Sequence, residues 1–173
     1  TIQGVGGTFV SCSIAPSSEA RVAHSEKGLL HSWLPDVWIH TDAHSSRNGK
    51  EGGCGASPGL SVCLTAESNT DIIISAETCM DASKDGRGAL LPEDLGVRCA
   101  AMLLDEIRKG GCIDTGAQSI ALLLMCLGPE DVSRIRVGTL SQDLIVRLRL
   151  VKTAFDVEVK VRGDTERKTV DVS

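Results

Sequence analysis

The chain has 173 residues, 42% of them apolar, and a net charge of -5, which is enough apolar material for one sizeable core or two small ones and excludes a disordered tail. Acidity argues against a generic nucleic-acid binder, but residues 1–128 carry nine Lys/Arg against fifteen Asp/Glu whereas residues 129–173 carry nine against eight, so any RNA contact is expected in the last third. The longest apolar run, residues 120–127, is far short of the roughly 20 residues of a membrane span, and no membrane partner is expected.

Residues 5–14 read as a strand, and Pro16-Ser17-Ser18 offers a cap for a helix whose apolar positions Val22, Leu29, Leu30, Trp33 and Leu34 keep a helical period up to Pro35. Residues 37–41 are a short strand, and residues 45–59 turn to Gly, Ser, Lys, Arg and Asn, expected as a long mobile loop. Residues 60–66 and 72–76 read as a hairpin closed by Glu67-Ser68-Asn69-Thr70, and a second polar loop covers residues 81–88.

The next helix is marked at both ends. Pro92 takes the first turn, Glu93 and Asp94 face the positive end of the dipole, and Arg108-Lys109 face the negative end before Gly110-Gly111. Its apolar face is expected to be Leu95, Cys99, Met102, Leu103 and Ile107. Residues 117–127, apolar almost all round, predict a helix buried on several sides, with Leu123 or Leu124 fully enclosed. Residues 132–137 alternate, with Ile135 and Val137 inward and Arg134 and Arg136 outward. Ser141 caps a last helix bearing Leu144, Ile145, Leu148, Val151 and Phe155. Val157, Val159 and Val161 form a strand, Gly163-Asp164 turns it, and residues 169–172 return.

The order β-α-β-β-β-α-α-β-α-β-β mixes hairpins with crossovers, so the expected class is α/β in the α+β sense, helices packed on mixed sheets. A weak echo between "HSWLPDVWIHTD" (31–42) and "KTAFDVEVKVRGD" (152–164) is consistent with duplication of a β-α-β-β unit.

Chemistry-bearing residues are sparse. The seven cysteines contain no C-x-x-C pair, and no histidine sits at ligand spacing from one, so they are expected to be free, buried thiols of an intracellular protein, with no metal site. The loop "NGKEGGCGASPGLS" (48–61) offers backbone amides to a phosphate, with Arg47 or Lys50 for charge, but fits no phosphate-loop pattern; connector is the commoner use. Asp114, Thr115 and Gln118 in "GGCIDTGAQS" lie where a helix N-terminus favours an anion, and serve equally as helix caps. Arg134, Arg136, Arg147, Arg149 and Lys152 form either a basic patch or a solvated face. The scarcity of aromatics, Phe9, Trp33, Trp38 and Phe155, removes the stacking platforms of single-strand binders. No nucleophile and base are paired by spacing.

The runs "LPEDLGVRCAAMLLDEIRKGGCIDTGAQSIALLLMCLGPEDVSRIRVGTLS", "PDVWIHTD" and "SPGLSVCLTAES" resemble the RNA 3'-terminal phosphate cyclase family, and within it the branch that works in ribosome biogenesis. The resemblance covers nearly the whole chain and implies the C-terminal half of the family, a fragment beginning at Thr1 after the small inserted domain. Residues 1–80 would be the remainder of one repeat and 81–173 the last repeat, built from β-α-β-α-β-β units.

The resemblance also implies which residues matter. True cyclases adenylylate a histidine just before the last helix; in "VGTLSQDLIVRL" that place falls near Leu140, and neither Thr139, Leu140 nor Ser141 forms a phosphoramidate. The usual histidine before the loop glutamine is Ala117. A proposed Arg-Asp-x-Lys cluster on the last helix matches Arg149-Leu150-Val151-Lys152, with the acid absent. The implied function is a non-catalytic, nucleolar pre-rRNA processing and small-subunit assembly factor without cofactor. Its implied partners are a ribosome-biogenesis GTPase, pre-rRNA and the proteins of the small-subunit processome. A pre-rRNA endonuclease, or an active cyclase, is the alternative. Arg134, Arg136, Arg149 and Lys152 are the candidate RNA or partner contacts, and Asp114, Thr115, Gln118, Ser57 and Gly59 the candidate phosphate-loop residues.

Overall fold

A computed structural model describes residues 1–44, 58–80, 91–129, 131–157, 159–166 and 168–173. The elements follow the expected order: β1 (Ile2–Cys12), α1 (Pro16–His31), β2 (Asp36–His44), β3 (Gly59–Ser68), β4 (Ile73–Cys79), α2 (Pro92–Lys109), α3 (Gln118–Leu127), β5 (Ile135–Val137), α4 (Gln142–Phe155), β6 (Val161–Asp164) and β7 (Thr169–Val172). The class is α+β. Residues 45–57 and 81–90, read as polar loops, lie outside the described residues. Two compact units are present, residues 1–71 with 75–105, and residues 72–74 with 106–173.

The first unit is built on a sheet of order β2-β1-β3-β4, with β1 parallel to β2 and antiparallel to β3. One parity of each strand is buried: Val5, Phe9 and Ser11 on β1, Val37 and Ile39 on β2, Leu60, Val62, Leu64 and Ala66 on β3. Helix α2 lies on that face, the Cys99 thiol donating to the carbonyls of Val62 (3.7 Å) and Ala76 (3.5 Å). It meets α1 at Gly96, where a Cβ would come within 2.5 Å of the Ser25 Oγ and 2.7 Å of the Val22 carbonyl, so glycine sets the helix separation. Arg21 on α1 and Glu93 on α2 join in an ion pair, whose hydrogen bond holds the Glu93 carboxyl below its usual range. Gly7 is needed for space: a Cβ there would lie 2.6 Å from the Leu64 Cδ2.

Several expectations fail in detail here. Helix α1 has Pro16 in its first turn and Ala15 at the N-cap, with no serine cap. Its buried line is Val22, Glu26 and Leu30, an i, i+4, i+8 stripe with an acid at its centre, while Trp33, expected inside, is 73% exposed. The cysteines differ from expectation as well: Cys12 is disulfide-bonded, and among the described residues Cys99 is the one buried free thiol, Cys63 and Cys79 being exposed. Strand alternation carries Cys63 and Cys79 to the open side of the sheet.

The second unit sets α3 and α4 with the antiparallel sheet β5-β7-β6. Leu122, Leu144 and Val151 are its buried cluster, with Leu123, Cys126, Leu140, Leu148 and Val159 packed against them. Ser141 caps α4 as expected, its hydroxyl accepting from the Leu144 amide at 3.0 Å. Helix α3 is not enclosed on several sides. Leu122 is buried, Leu123 half-buried, and Ile120, Leu124 and Leu127 are exposed at i, i+4 and i+7. An all-apolar helix has no periodicity from which to choose its inner face, which is why the sequence pointed to Leu123 or Leu124. Met102 on α2 and Phe155 at the end of α4 are likewise exposed. Arg134 precedes β5 instead of lying on it, and β6 begins only at Val161, residue 160 being tied to the chain end by paired backbone bonds between Lys160 and Ser173. The turn after β6 follows Asp164 and uses Lys168 at φ 53°. The 31–42 and 152–164 echo joins a helix to a strand in both places, but β2 pairs in parallel with β1 whereas β6 pairs antiparallel with β7.

Candidate functional site

In the second unit, residues 110–119 run alongside residues 136–143, and the sequence explains why they zip together. Gly110 and Gly111 end α2 at φ 71° and 91°, a left-handed region that favours glycine. Gly111 bridges to Val137, and its missing Cβ is required, since one would lie 2.4 Å from the Gly138 amide nitrogen. Gly138 is required in turn, because its Cβ would fall 2.5 Å from the Gly110 carbonyl. Backbone therefore lies directly on backbone. The Cys112 amide and thiol both donate to the Arg136 carbonyl at 2.9 Å.

At the other end the clamp is a side chain. Gln118, 3% exposed, donates its Nε2 to the Thr139 carbonyl (2.9 Å) and accepts from the Ser141 amide with Oε1 (3.0 Å). It thus holds the two residues on either side of Leu140. In the first turn of each helix, the Ser119 hydroxyl donates to Asp143, which also takes Arg147 Nε at 3.0 Å. These bonds, the serine first, hold the Asp143 carboxyl below its usual range.

The other loop polar groups are also engaged internally. Asp114 Oδ1 accepts from the Ala117 amide at 2.9 Å. Thr115 gives its amide (2.8 Å) and hydroxyl (2.7 Å) to Glu106, whose second oxygen takes Lys109 at 2.8 Å. Such use is helix and loop capping. Gly59 stands at the start of β3 opposite Cys12, with none of the described residues within 4 Å of where a Cβ would be, and Ser57 lies outside the described residues. Sequence reasoning passed over Glu106, Ser119 and Asp143; the legible signals were Glu106 in the last turn of one helix and Asp143 in the first turn of another. Among the described residues no group of His, Cys, Asp and Glu is arranged to hold a metal ion, and no helix is long and apolar enough to cross a membrane.

The cations divide into two sets. Arg136 is paired with Asp171 directly across the β5/β7 ladder, Nε to Oδ1 at 2.8 Å and Nη2 to Oδ2 at 3.2 Å, and this bond raises the guanidinium pKa further. Arg147 is taken by Asp143. Arg134, Arg149 and Lys152 are exposed, and among the described residues none has an ion pair. Arg149 and Lys152 are i, i+3 neighbours on α4.

Residues 1–108 match the family model described as the insert domain of RNA 3'-terminal phosphate cyclase. The chain belongs to the RNA 3'-terminal phosphate cyclase family. That match ends in the same part of α2 at which the first unit ends. Relatives extend over both units. A human RNA 3'-terminal phosphate cyclase-like protein is 39% identical over 160 residues, 92% of this chain and 41% of its own length. A probable cyclase-like protein of Dictyostelium discoideum is 38% identical over 179 residues, 98% of this chain and 47% of its own. An rRNA processing protein of Schizosaccharomyces pombe is 38% identical over 171 residues, 98% of this chain and 44% of its own. The chain spans less than half the length of these relatives of the cyclase family.

Proposed function

We propose that this chain is part of a non-catalytic pre-rRNA processing and small-subunit assembly factor, working in the nucleolus with pre-rRNA, processome proteins and a ribosome-biogenesis GTPase. The rRNA-processing relative supports the pathway. What carries the non-catalytic reading is Leu140: at the place that the family resemblance gives to the nucleophile stands an apolar side chain packed against the Leu122, Leu144 and Val151 cluster. Gln118 fixes the backbone on either side of it. Half-buried against that cluster, Leu140 is a packing element, with no atom that attacks a phosphate. We assign the first unit to the insert domain, on the extent of the insert-domain match, and the second to the last repeat.

The test is adenylylation. Incubated with radiolabelled ATP, the protein should retain no acid-labile nucleotide, while a cyclase run in parallel does; a labelled protein band overturns the reading. For the RNA contact we assign Arg149 and Lys152, exposed together on α4, with Arg134 in support and Arg136 contributing less because of Asp171. Replacing both by Ala should reduce the salt dependence of RNA binding by roughly one to two in log-log slope, and an unchanged slope rejects that assignment. Site-specific cleavage of a pre-rRNA substrate, lost in the same variant, would favour the endonuclease instead.

A further inference from the structure

On the first unit's sheet, the face away from α2 is open and unusual in composition. Strands β1 to β4 contain Asp36, Asp42, Glu67 and Glu77 and no Lys or Arg. Trp38 is 68% exposed there, its ring stacked along β2 on His40 at 6.2 Å and 24°. The registers place Asp36, Gly4 and Glu67 in one row across three strands and Trp38, Gly6 and Thr65 in the next. With glycine at both central positions, the middle strand presents bare backbone. The result is a trough walled by Asp36 and Trp38 on one side and by Thr65 and Glu67 on the other, two strand spacings or roughly 10 Å apart.

Internal packing does not explain these two glycines. Among the described residues a Cβ at Gly6 would meet the Thr65 Oγ1 at 3.4 Å, and the atoms nearest to one at Gly4 belong to Asp36, at 3.7 Å or more. At Gly7, on the buried face, the same atom would collide with Leu64. Glycine weakens a strand and marks either a bulge or a close approach; Gly4 adjoins the register shift between Ile2 and Gly4, whereas Gly6 lies in regular pairing and is left for the close approach of something else.

We propose that this trough is a docking surface for an arginine-bearing segment of a partner protein, whose guanidinium lies over Gly4 and Gly6, stacks on Trp38 and pairs with Asp36 and Glu67. Charge chooses the occupant. A phosphate chain would be repelled by Asp36 and Glu67, which have no ion pair among the described residues, unlike Asp42, which lies 3.1 Å from His44, whereas a cation is attracted. Arginine fits better than lysine because its plane both stacks on an indole and binds carboxylates through two N–H groups. Solvent-exposed tryptophan is a residue type that dominates binding energy at interfaces. This surface is independent of the rRNA-processing reading and of the α4 cations.

The test uses a fluorescein-labelled Arg-Gly repeat peptide, its Lys-Gly counterpart, and a single-stranded RNA oligonucleotide, followed by anisotropy on the whole chain. The arginine peptide should bind saturably and more tightly than the lysine peptide, and Gly6→Val, which fills the trough, and Glu67→Gln should each weaken it by about tenfold. Glu166→Gln, a carboxylate removed from the second unit, should change nothing. In a Trp33→Phe background, where Trp38 is the remaining tryptophan, the peptide should shift the emission and the RNA should not. Thermal unfolding of each variant separates lost docking from lost fold, and Glu67→Gln, a surface change, serves should Gly6→Val fail to fold. The proposal is overturned if no arginine peptide binds, if Glu67→Gln binds as well as the parent, if Glu166→Gln weakens binding equally, or if RNA shifts Trp38.

Discussion

Glu26 should make the first unit lose stability as pH rises through neutrality. It sits on the buried face of α1 between Val22 and Leu30, fully buried, and neither carboxylate oxygen has a hydrogen-bond partner among the described residues. Burial pushes its pKa from 4.5 to about 7, with Lys27 opposing only in part; Cys99 on α2, pushed to about 12 by burial and then by Glu26 itself, is the other titratable group facing it. Because the folded pKa lies above the unfolded one, the folded state holds the proton more tightly. The associated stability is fully present below pH 4.5 and is lost as pH climbs through about 7. At roughly 1.4 kcal/mol per pKa unit, the loss is about 3 kcal/mol. Glu26→Gln removes the titration and keeps the shape. Urea midpoints followed by tryptophan fluorescence, both tryptophans lying in this unit, should show the variant more stable than the parent at pH 8 by about 2 to 3 kcal/mol and nearly equal to it at pH 5. Parallel pH profiles for the two proteins would show that the carboxyl finds water or a partner, and would refute the argument.

The remaining expectations concern packing and the loop clamp. Leu122→Ala should cost about 2 to 5 kcal/mol by lost transfer energy and cavity, while Leu124→Ala, on the exposed face of the same helix, should stay within about 0.5 kcal/mol; equal losses in chemical denaturation would mean that α3 is turned the other way. Gln118→Ala should destabilise the second unit by about 1 to 3 kcal/mol, leaving the Thr139 carbonyl and Ser141 amide unpaired, and amide exchange at Ser141 should accelerate with it. Gly7→Ala should cost about 1 to 3 kcal/mol from overpacking against Leu64, with thermal unfolding as the measure; a midpoint equal to the parent's would mean that Leu64 has room to move.

The element order was legible because it is written in local chemistry: Pro92 and two acids open α2, two glycines close it, Ser141 opens α4, and β3 alternates strictly. Which side of each element faces inward was legible only where polar residues mark the outside. On β3 they do, so Leu60, Val62, Leu64 and Ala66 all fall inside. On α3 they do not, and on α1 the pattern misleads, since a buried acid interrupts the stripe while Trp33 points to solvent. The loop candidates were picked by residue type, and their partners Glu106, Thr139 and Asp143 stand in other elements that only the folded chain brings near. Arg136 looked like a ligand-ready cation in sequence because Asp171, 35 residues away, is its neighbour only across a ladder.

The same geometry bears on what residues 110–119 can offer a ligand. A loop that serves a bound phosphate must leave donors pointing outward, and their desolvation has to be met by the ligand when it arrives. In residues 110–119 the donors of Cys112, Thr115, Ala117 and Gln118 are directed to carbonyls and carboxylates of the same unit. Gly111 and Gly138 bring the two segments so close that no side chain fits between them. Leu140, held from both sides, turns inward to the core. The glycine and glutamine pattern holds this turn together from within, and an activity has to be argued from atoms left free to meet a ligand.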